Sequence, residues 1–250
     1  MLNLKKILYK LAVHGVFHLH FVKVMEAKII SRFLDLKGGE TICDIACGSG
    51  AASVKMAKAG GRVYGIDIRE KAMRNARLIG AKHNCSFCLG NAEVLPYKSN
   101  VFDKVACICA LEHFQNDDLA LKEMYRVLKI GGILVLTVDS FTYRGIKNSF
   151  QQFHRKSAHV VNYYTHLQLA GKLEGVGFEV GESKYFVNSP IPAFFFNLGK
   201  RMEWGVPHLA LFPIAYPLSV LSDRFLGHKN EGYLLAMRAH KGEQPCNNSM

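Results

Sequence analysis

The chain has no dense basic run, no arginine-rich tract, no internal repeat and no low-complexity segment. Nothing in it therefore reads as a charged tail, a repeat array or a flexible linker. Cysteine lacks the paired spacing of a secreted framework: there are seven, an odd number, spread over expected core strands, which points to a reducing cytoplasm. Cys85 and Cys88 form a CxxC, but on a strand residues three apart face opposite ways and do not share a metal, so no metal site is expected. Cys107 and Cys109 fall on one strand face and read as core. Acids are scarce. Twenty Asp and Glu stand against 32 Lys and Arg, a net charge of +12 with a pI near 9.4. Such an excess draws polyanions, either nucleic acid or an anionic membrane surface, or is scattered over a solvated surface. The N-terminus has lysines followed by apolar residues, yet His14, His18 and His20 interrupt the apolar run and no small-residue cleavage site follows, so no signal peptide is expected. His14 and His18, four apart on a helix, have no carboxylate or cysteine beside them and read as amphipathic surface.

What is present suits one large α/β domain with attachments: 250 residues, 49% of them hydrophobic. Residues 2–35 read as amphipathic helix, an N-terminal cap over 1–35, with Leu4, Ile7, Leu8, Leu11, Val16, Leu19 and Val22 at three- and four-residue spacings. Strands are expected near 40–46, 61–67, 85–89, 102–109 and 132–138, and helices near 50–59, 69–82 and 116–128. That alternation implies a parallel sheet covered on both faces. Lys37-Gly38-Gly39 and Lys129-Ile130-Gly131-Gly132 read as turns into strands. A loop over 140–162, a helix over 164–173, a sixth strand over 178–187 and a seventh over 231–239 complete the core, with a flexible tail from 241.

The most informative stretch is Ile42-Cys43-Asp44-Ile45-Ala46-Cys47-Gly48-Ser49-Gly50, an apolar strand that ends in an acid and enters a glycine turn. A Gly-x-Gly turn between strand and helix removes the Cβ atoms that keep a ligand off the backbone. The Asp44 carboxylate beside that turn repels a pyrophosphate and attracts an ammonium or sulfonium, which favours a cationic nucleotide over a dinucleotide. Twenty-three residues on, Arg62-Val63-Tyr64-Gly65-Ile66-Asp67 is a second strand ending in an acid, placed to accept both ribose hydroxyls.

Asp44 to Gly50, Gly65-Ile66-Asp67-Ile68, Gly90-Asn91-Ala92-Glu93-Val94-Leu95-Pro96, Phe102-Asp103 and Val127-Leu128-Lys129-Ile130-Gly131-Gly132 resemble, in order, the motifs of class I S-adenosylmethionine-dependent methyltransferases. They are most similar to the ubiquinone and sterol type of small-molecule enzyme, over residues 36 to about 180. The resemblance implies a Rossmann-like, seven-stranded, mostly parallel sheet with helices on both faces, whose seventh strand returns antiparallel beside the sixth. S-adenosyl-L-methionine is the implied cofactor. Gly48 and Gly50 then bring backbone close to its methionyl part, with Ala46, in place of a frequent Gly, in the same turn. Asp44 faces the charged end, Asp67 binds the ribose diol and Ile68 lies against adenine. Asn91 stands where the family has Asp, and its amide oxygen can still accept the adenine amino hydrogen. The Ala92 backbone meets a ring nitrogen, and Ala110 lines the same site.

Between the sixth and seventh strands lies an insert over 188–228, rich in Phe and Pro, with 19 residues from Trp204 to Ser222 free of formal charge. That length raises a membrane span, against which stand Pro207, Pro213 and Pro217, each costing about 3 kcal/mol inside a helix, and the requirement that both ends lie on one side of a sheet. Because the sixth strand runs with the cofactor strands, the insert is expected to roof the site, with Phe194, Phe195, Phe196 and Trp204 lining an apolar substrate cavity or a lipid-touching surface.

His113, in Ala110-Leu111-Glu112-His113 after the fourth strand, is the candidate general base, with Glu112 orienting it or capping the following helix. His154, His159 and His166 are lesser candidates near the substrate-side loop. The expected activity is methyl transfer to O or C of a small, apolar or lipid-like acceptor by a cytoplasmic protein, peripheral to the membrane if the charge serves lipid. The alternatives are an RNA or other nucleic-acid methyltransferase, which the missing Asn/Asp-Pro-Pro-aromatic tetrapeptide disfavours, and a non-catalytic cofactor-binding scaffold. An NAD-dependent oxidoreductase is disfavoured by Ser53, where its fingerprint needs Gly or Ala.

Overall fold

A computed structural model describes residues 21–201 and 206–242. In chain order they form α1 (Phe21–Leu34), β1 (Thr41–Ile45), α2 (Ala51–Lys58), β2 (Arg62–Asp67), α3 (Glu70–Gly80), β3 (Cys85–Leu89), β4 (Phe102–Ile108), a 3-10 turn (Leu111–His113), α4 (Asp117–Val127), β5 (Leu128–Asp139), α5 (Asn148–Ala158), α6 (His166–Val176), β6 (Phe178–Phe186), α7 (Pro190–Arg201), α8 (Val206–Leu226) and β7 (Leu234–Lys241). The strands make one seven-stranded sheet in the order β3-β2-β1-β4-β5-β7-β6, the Rossmann-like arrangement expected. The pairs β1–β2, β1–β4, β2–β3 and β4–β5 are parallel. On β6, Gly181 lies against Arg238 and Glu179 against Gly242, so β7 runs back along it.

The chain divides into two compact units. The core unit comprises the described parts of Ile30–Asp139, Val161–Lys184 and Leu235–Met250; the second comprises those of Met1–Ile29, Ser140–Val160 and Tyr185–Leu234. In the core unit Ile42, Cys43, Ile45, Val105, Ala106, Cys107, Leu134, Val135 and Leu136 are all buried, without the alternation of a sheet that has one wet face. That continuous burial is what parallel strands require when helices cover both sides. Asp103 ties three strand starts together, accepting from Thr41 N (2.8 Å), Thr41 Oγ1 (2.6 Å) and Lys129 Nζ (2.7 Å). The strand order reverses at β1 and β4, which are hydrogen-bonded neighbours although β2 and β3 intervene in sequence. A crevice beyond the carboxyl ends of such a pair is where ligands bind in open α/β sheets.

In the second unit, Phe141, Phe150, His154, Phe196 and Tyr233 form an aromatic cluster, with the Phe141 and His154 rings 4.3 Å apart and the Phe196 and Tyr233 rings 4.9 Å apart. Ser140 N and Phe141 N donate to Tyr233 O, closing the segment after β5 onto the segment before β7. Asp223 accepts from Val187 N, Asn188 N and Ser189 Oγ, fixing α8 against the start of α7.

Four expectations need correction. The loop expected over 140–162 contains α5, whose buried face is only Phe150 and His154, too short a stripe to show as periodicity. Lys129–Gly132 is not a turn before a strand but a bulge inside β5. Phe102 pairs with Leu128 and Lys104 with Ile133, so one residue of β4 faces four of β5, and Gly131 at φ 74° absorbs the detour. The described residues of the insert include two helices, and α8 contains Pro213 and Pro217. They are four apart, so both disruptions fall on one side of the helix, and that side is exposed. Finally, Glu112 does not cap α4; Asn116 does, its side chain accepting from Leu119 N. No described helix is long and apolar enough to cross a membrane. The expected helix before residue 21, His14, His18, His20, Trp204 and the tail after 242 lie outside the described residues.

Candidate functional site

Asp44, the penultimate residue of β1, and Asp67, the last of β2, lie on neighbouring strands, with Asp44 opposite Gly65. After β1 the chain turns sharply. Cys47 N donates to Ile66 O (3.0 Å) and Gly50 N to Cys47 O (2.9 Å), so the turn is pinned to β2 before α2 begins. Three of its residues are left-handed: Ala46 at φ 54°, Gly48 at 57° and Gly50 at 80°. The two glycines serve different ends. A Cβ on Gly50 would strike the Phe87 ring at 2.9 Å and Ala76 at 3.1 Å, so glycine there lets α2 pack on β3 and α3. A Cβ on Gly48 would meet only the Arg69 guanidinium at 3.6 Å, and Gly48 is therefore the position where backbone lies open to a ligand.

Asp67 is saturated with donors: Gly48 N (2.9 Å) and Arg69 Nη2 (3.2 Å) on one oxygen, Arg69 N (2.8 Å) and Arg69 Nε (3.1 Å) on the other. Burial raises its pKa, but the Arg69 and Gly48 contacts outweigh burial and hold the carboxyl below its ordinary value. Asp44 is the opposite case. It is buried and accepts from the Ser53 hydroxyl, and burial, with the Asp67 charge adding to it, pushes the carboxyl up to about 7. The two strand tips thus carry one ionised acid and one poised at neutrality. A cation placed beside Asp44 would return its charge.

Along the same strand edge, Ile68 is exposed and Ala92 buried. The Asn91 amide oxygen accepts from Glu93 N (3.0 Å), an Asx turn that leaves that oxygen a further lone pair. Ala110 is buried and leads into the 3-10 turn after β4, which carries His113 half-exposed with Nε2 3.9 Å from the buried Glu112 Oε1. The Glu112 carbonyl accepts from Val161 N and Asn162 N, fixing the turn to the chain before α6.

The methyltransferase-domain family matches residues 36–177, more than half of the chain. The chain belongs to the class I S-adenosylmethionine-dependent methyltransferases. It is 34% identical over 108 residues to UbiE, the ubiquinone/menaquinone biosynthesis C-methyltransferase of Escherichia coli, a match spanning 40% of this chain and 43% of that one. It is 27% identical over 202 residues to an uncharacterised protein of Methanocaldococcus jannaschii, spanning 71% and 76%. Its fold matches that of phosphoethanolamine N-methyltransferase 2 from Haemonchus contortus, solved in complex with S-adenosyl-L-methionine, with a TM-score of 0.64 at 18% identity over 88% of this chain and 52% of that one.

S-adenosylmethionine is the cofactor of this methyltransferase, and the strand tips fit it. Gly48 presents open backbone, Asp67 two acceptor positions taken by the exposed Arg69 guanidinium beside two taken by backbone N–H groups, and Asp44 a buried carboxyl that accepts from the neutral Ser53 hydroxyl. Among the described residues no group of His, Cys, Asp and Glu is placed to hold a metal ion. Asp44, Ala46, Gly48, Gly50, Asp67, Ile68, Asn91, Ala92, Ala110 and His113 all belong to the core unit. His166 also lies in the core unit, at the first turn of α6, whereas His154 and His159 lie in the second: His154 is buried against Phe141, and His159 ends α5 in a left-handed conformation. Phe196 is buried, Phe195 partly so, and Phe194 is exposed. Sequence reasoning missed Ser53, Arg69 and Phe87. Arg69 could have been suspected from its place two residues after Asp67; Phe87 left no signal beyond lying on β3.

Proposed function

We propose that this methyltransferase transfers a methyl group to an oxygen or carbon of a small, apolar or lipid-like acceptor. The observation that carries this reading is His113, half-exposed on the turn that directly follows β4, at the strand-order reversal and with a buried carboxylate beside it. The similarity to UbiE, a C-methyltransferase, supports the acceptor class. So do the aromatic-rich segments through which the chain leaves the core after β5 and after β6.

Bound at the strand tips, the cofactor supplies a methyl already activated by its sulfonium. This chain's residues supply position and charge. Asp67 exchanges the Arg69 guanidinium for the ribose hydroxyls, Asp44 holds the positive end, Gly48 and Gly50 shape the turn with Ala46, and Ile68, Asn91 and Ala92 receive the adenine. Holding both reactants in line and dry is worth up to roughly 7 to 11 kcal/mol. His113, on the turn that Ala110 opens, takes the acceptor proton where the nucleophile must lose one, adding about 10² to 10⁴.

Incubation of the protein with methyl-labelled cofactor and, separately, with lipid extract, a polar metabolite fraction and total RNA tests the reading. Label in a lipid-soluble product, identified by mass spectrometry, is the expected result. Label in RNA alone would replace it with a nucleic-acid methyltransferase, and cofactor binding with no labelled product would leave a scaffold.

A further inference from the structure

Helix α8 is packed inside out. Its fully buried residues are small or polar, Ala215, Ser219 and Ser222, with Ser222 Oγ 2.7 Å from Ser189 Oγ, while Leu211, Phe212 and Tyr216 are half-buried. The stripe at Ile214, Leu218, Leu221 and Phe225, spaced four, three and four, is 58, 42, 54 and 71% exposed. Pro213, Pro217 and Val220 extend this face on one side, and Leu226 is exposed at its end. A helix whose most buried side chains are small or polar and whose exposed stripe is aliphatic and aromatic is built to meet an apolar phase.

Charge says which one. The described residues of the second unit hold 10 Lys and Arg against 3 Asp and Glu, an excess of seven out of the chain's twelve. Each of the three acids is already engaged: Glu26 with Lys23 (2.7 Å), Asp223 with the backbone of Val187 and Asn188, and Glu231 with Arg144 (2.7 Å). Arg224 and Lys229, at and just beyond the end of the stripe, are exposed. Positive charge alone would suit RNA equally, but four large apolar side chains in a row offer nothing to a phosphate backbone and much to acyl chains.

We propose that α8 is a membrane-docking helix, which lies in the plane of an anionic phospholipid surface with Ile214, Leu218, Leu221 and Phe225 among the acyl chains and Arg224 and Lys229 at the phosphates. The proposal is independent of which acceptor is methylated.

Flotation of the full-length protein with vesicles of phosphatidylcholine, alone or mixed with phosphatidylglycerol, tests it. The protein is expected to float with the anionic vesicles at low salt, less at high salt, and little with phosphatidylcholine alone. Leu221→Asp with Phe225→Asp is expected to lower vesicle affinity by about tenfold or more while cofactor affinity and melting temperature hold, both positions being exposed. Arg224→Glu with Lys229→Glu, which leaves the apolar stripe intact, is expected to lower it similarly and to remove the salt effect. Absence of flotation by the intact protein, or equal flotation by the apolar variant, overturns the proposal. So do three outcomes that name another occupant: light scattering that finds a dimer lost in the apolar variant, tryptic cleavage at Lys5 to Lys10 newly exposed in it, or RNA retention that the charge variant alone loses.

Discussion

The Arg69 guanidinium forks onto the Asp67 carboxylate, Nε to one oxygen at 3.1 Å and Nη2 to the other at 3.2 Å, on the group proposed to receive the ribose. An arginine so placed competes with the ligand. Its side chain is two-thirds exposed, so the ion pair is worth at most about 1 kcal/mol. Removing it with Arg69→Ala is expected to tighten S-adenosylmethionine binding by about two- to fivefold, read by calorimetry. Asp67→Ala removes the acceptors themselves and is expected to weaken binding by about 10² or more. Weaker binding in Arg69→Ala would mean that the guanidinium contacts the cofactor instead of competing with it.

Cofactor affinity is expected to depend on pH, with Asp44 in its proposed place beside the cofactor's positive end. With its carboxyl near 7, below neutrality a proton must leave before the site can hold a cation. The dissociation constant is expected to fall about tenfold per pH unit up to 7 and to level off above it, with a proton released on binding. Stability runs the other way. The unfolded carboxyl ionises near 3.8, so between about 4 and 7 the folded state holds the proton that the unfolded chain gives up, and stability falls as pH rises through that window. Asp44→Asn, which can still accept from Ser53, is expected to flatten both curves and, without cofactor at pH 8, to stabilise the fold by on the order of 2 to 4 kcal/mol. Titration calorimetry in buffers of different ionisation enthalpy and melting across pH measure the two.

These two acids were legible because a strand that ends in a charge is a local event, visible in six or seven residues. The same holds for β1, β2, β3 and the helices between them, where apolar period and turn residues agree. What escaped depends on distance in sequence. The α8 face could not be read, since inward Ser219 and Ser222 and outward Leu221 and Phe225 invert the usual amphipathic rule. α5 presents only Phe150 and His154 to the interior, and the β5 bulge exists because β4 and β5 fall out of register. The reason for glycine at 50 was hidden in Phe87, thirty-seven residues away.

Ala46 is strained. Its φ of 54° places an L side chain in the left-handed region, which costs about 1 to 2 kcal/mol. Glycine has no such cost but loses about 0.5 to 1 kcal/mol of chain entropy. Ala46→Gly is therefore expected to stabilise the protein by ~1 kcal/mol and to raise Tm by about 2 to 4 °C, by calorimetry. A lower Tm would show that the Cβ is held by packing worth more than the strain.

His113 separates proton transfer from positioning. It sits on the turn after β4, and Asp44 and Asp67 lie at the tips of other strands, so His113→Ala is expected to leave cofactor affinity within about twofold. If the acceptor must lose a proton, kcat falls by about 10² to 10⁴. His113→Gln keeps a hydrogen-bonding side chain of similar reach but cannot take a proton at neutral pH. A base therefore predicts equal losses of kcat in both variants, whereas a positioning role predicts that Gln restores kcat and leaves only a raised KM for the acceptor. Comparing the two variants at saturating cofactor decides whether the turn after β4 supplies chemistry or only shape.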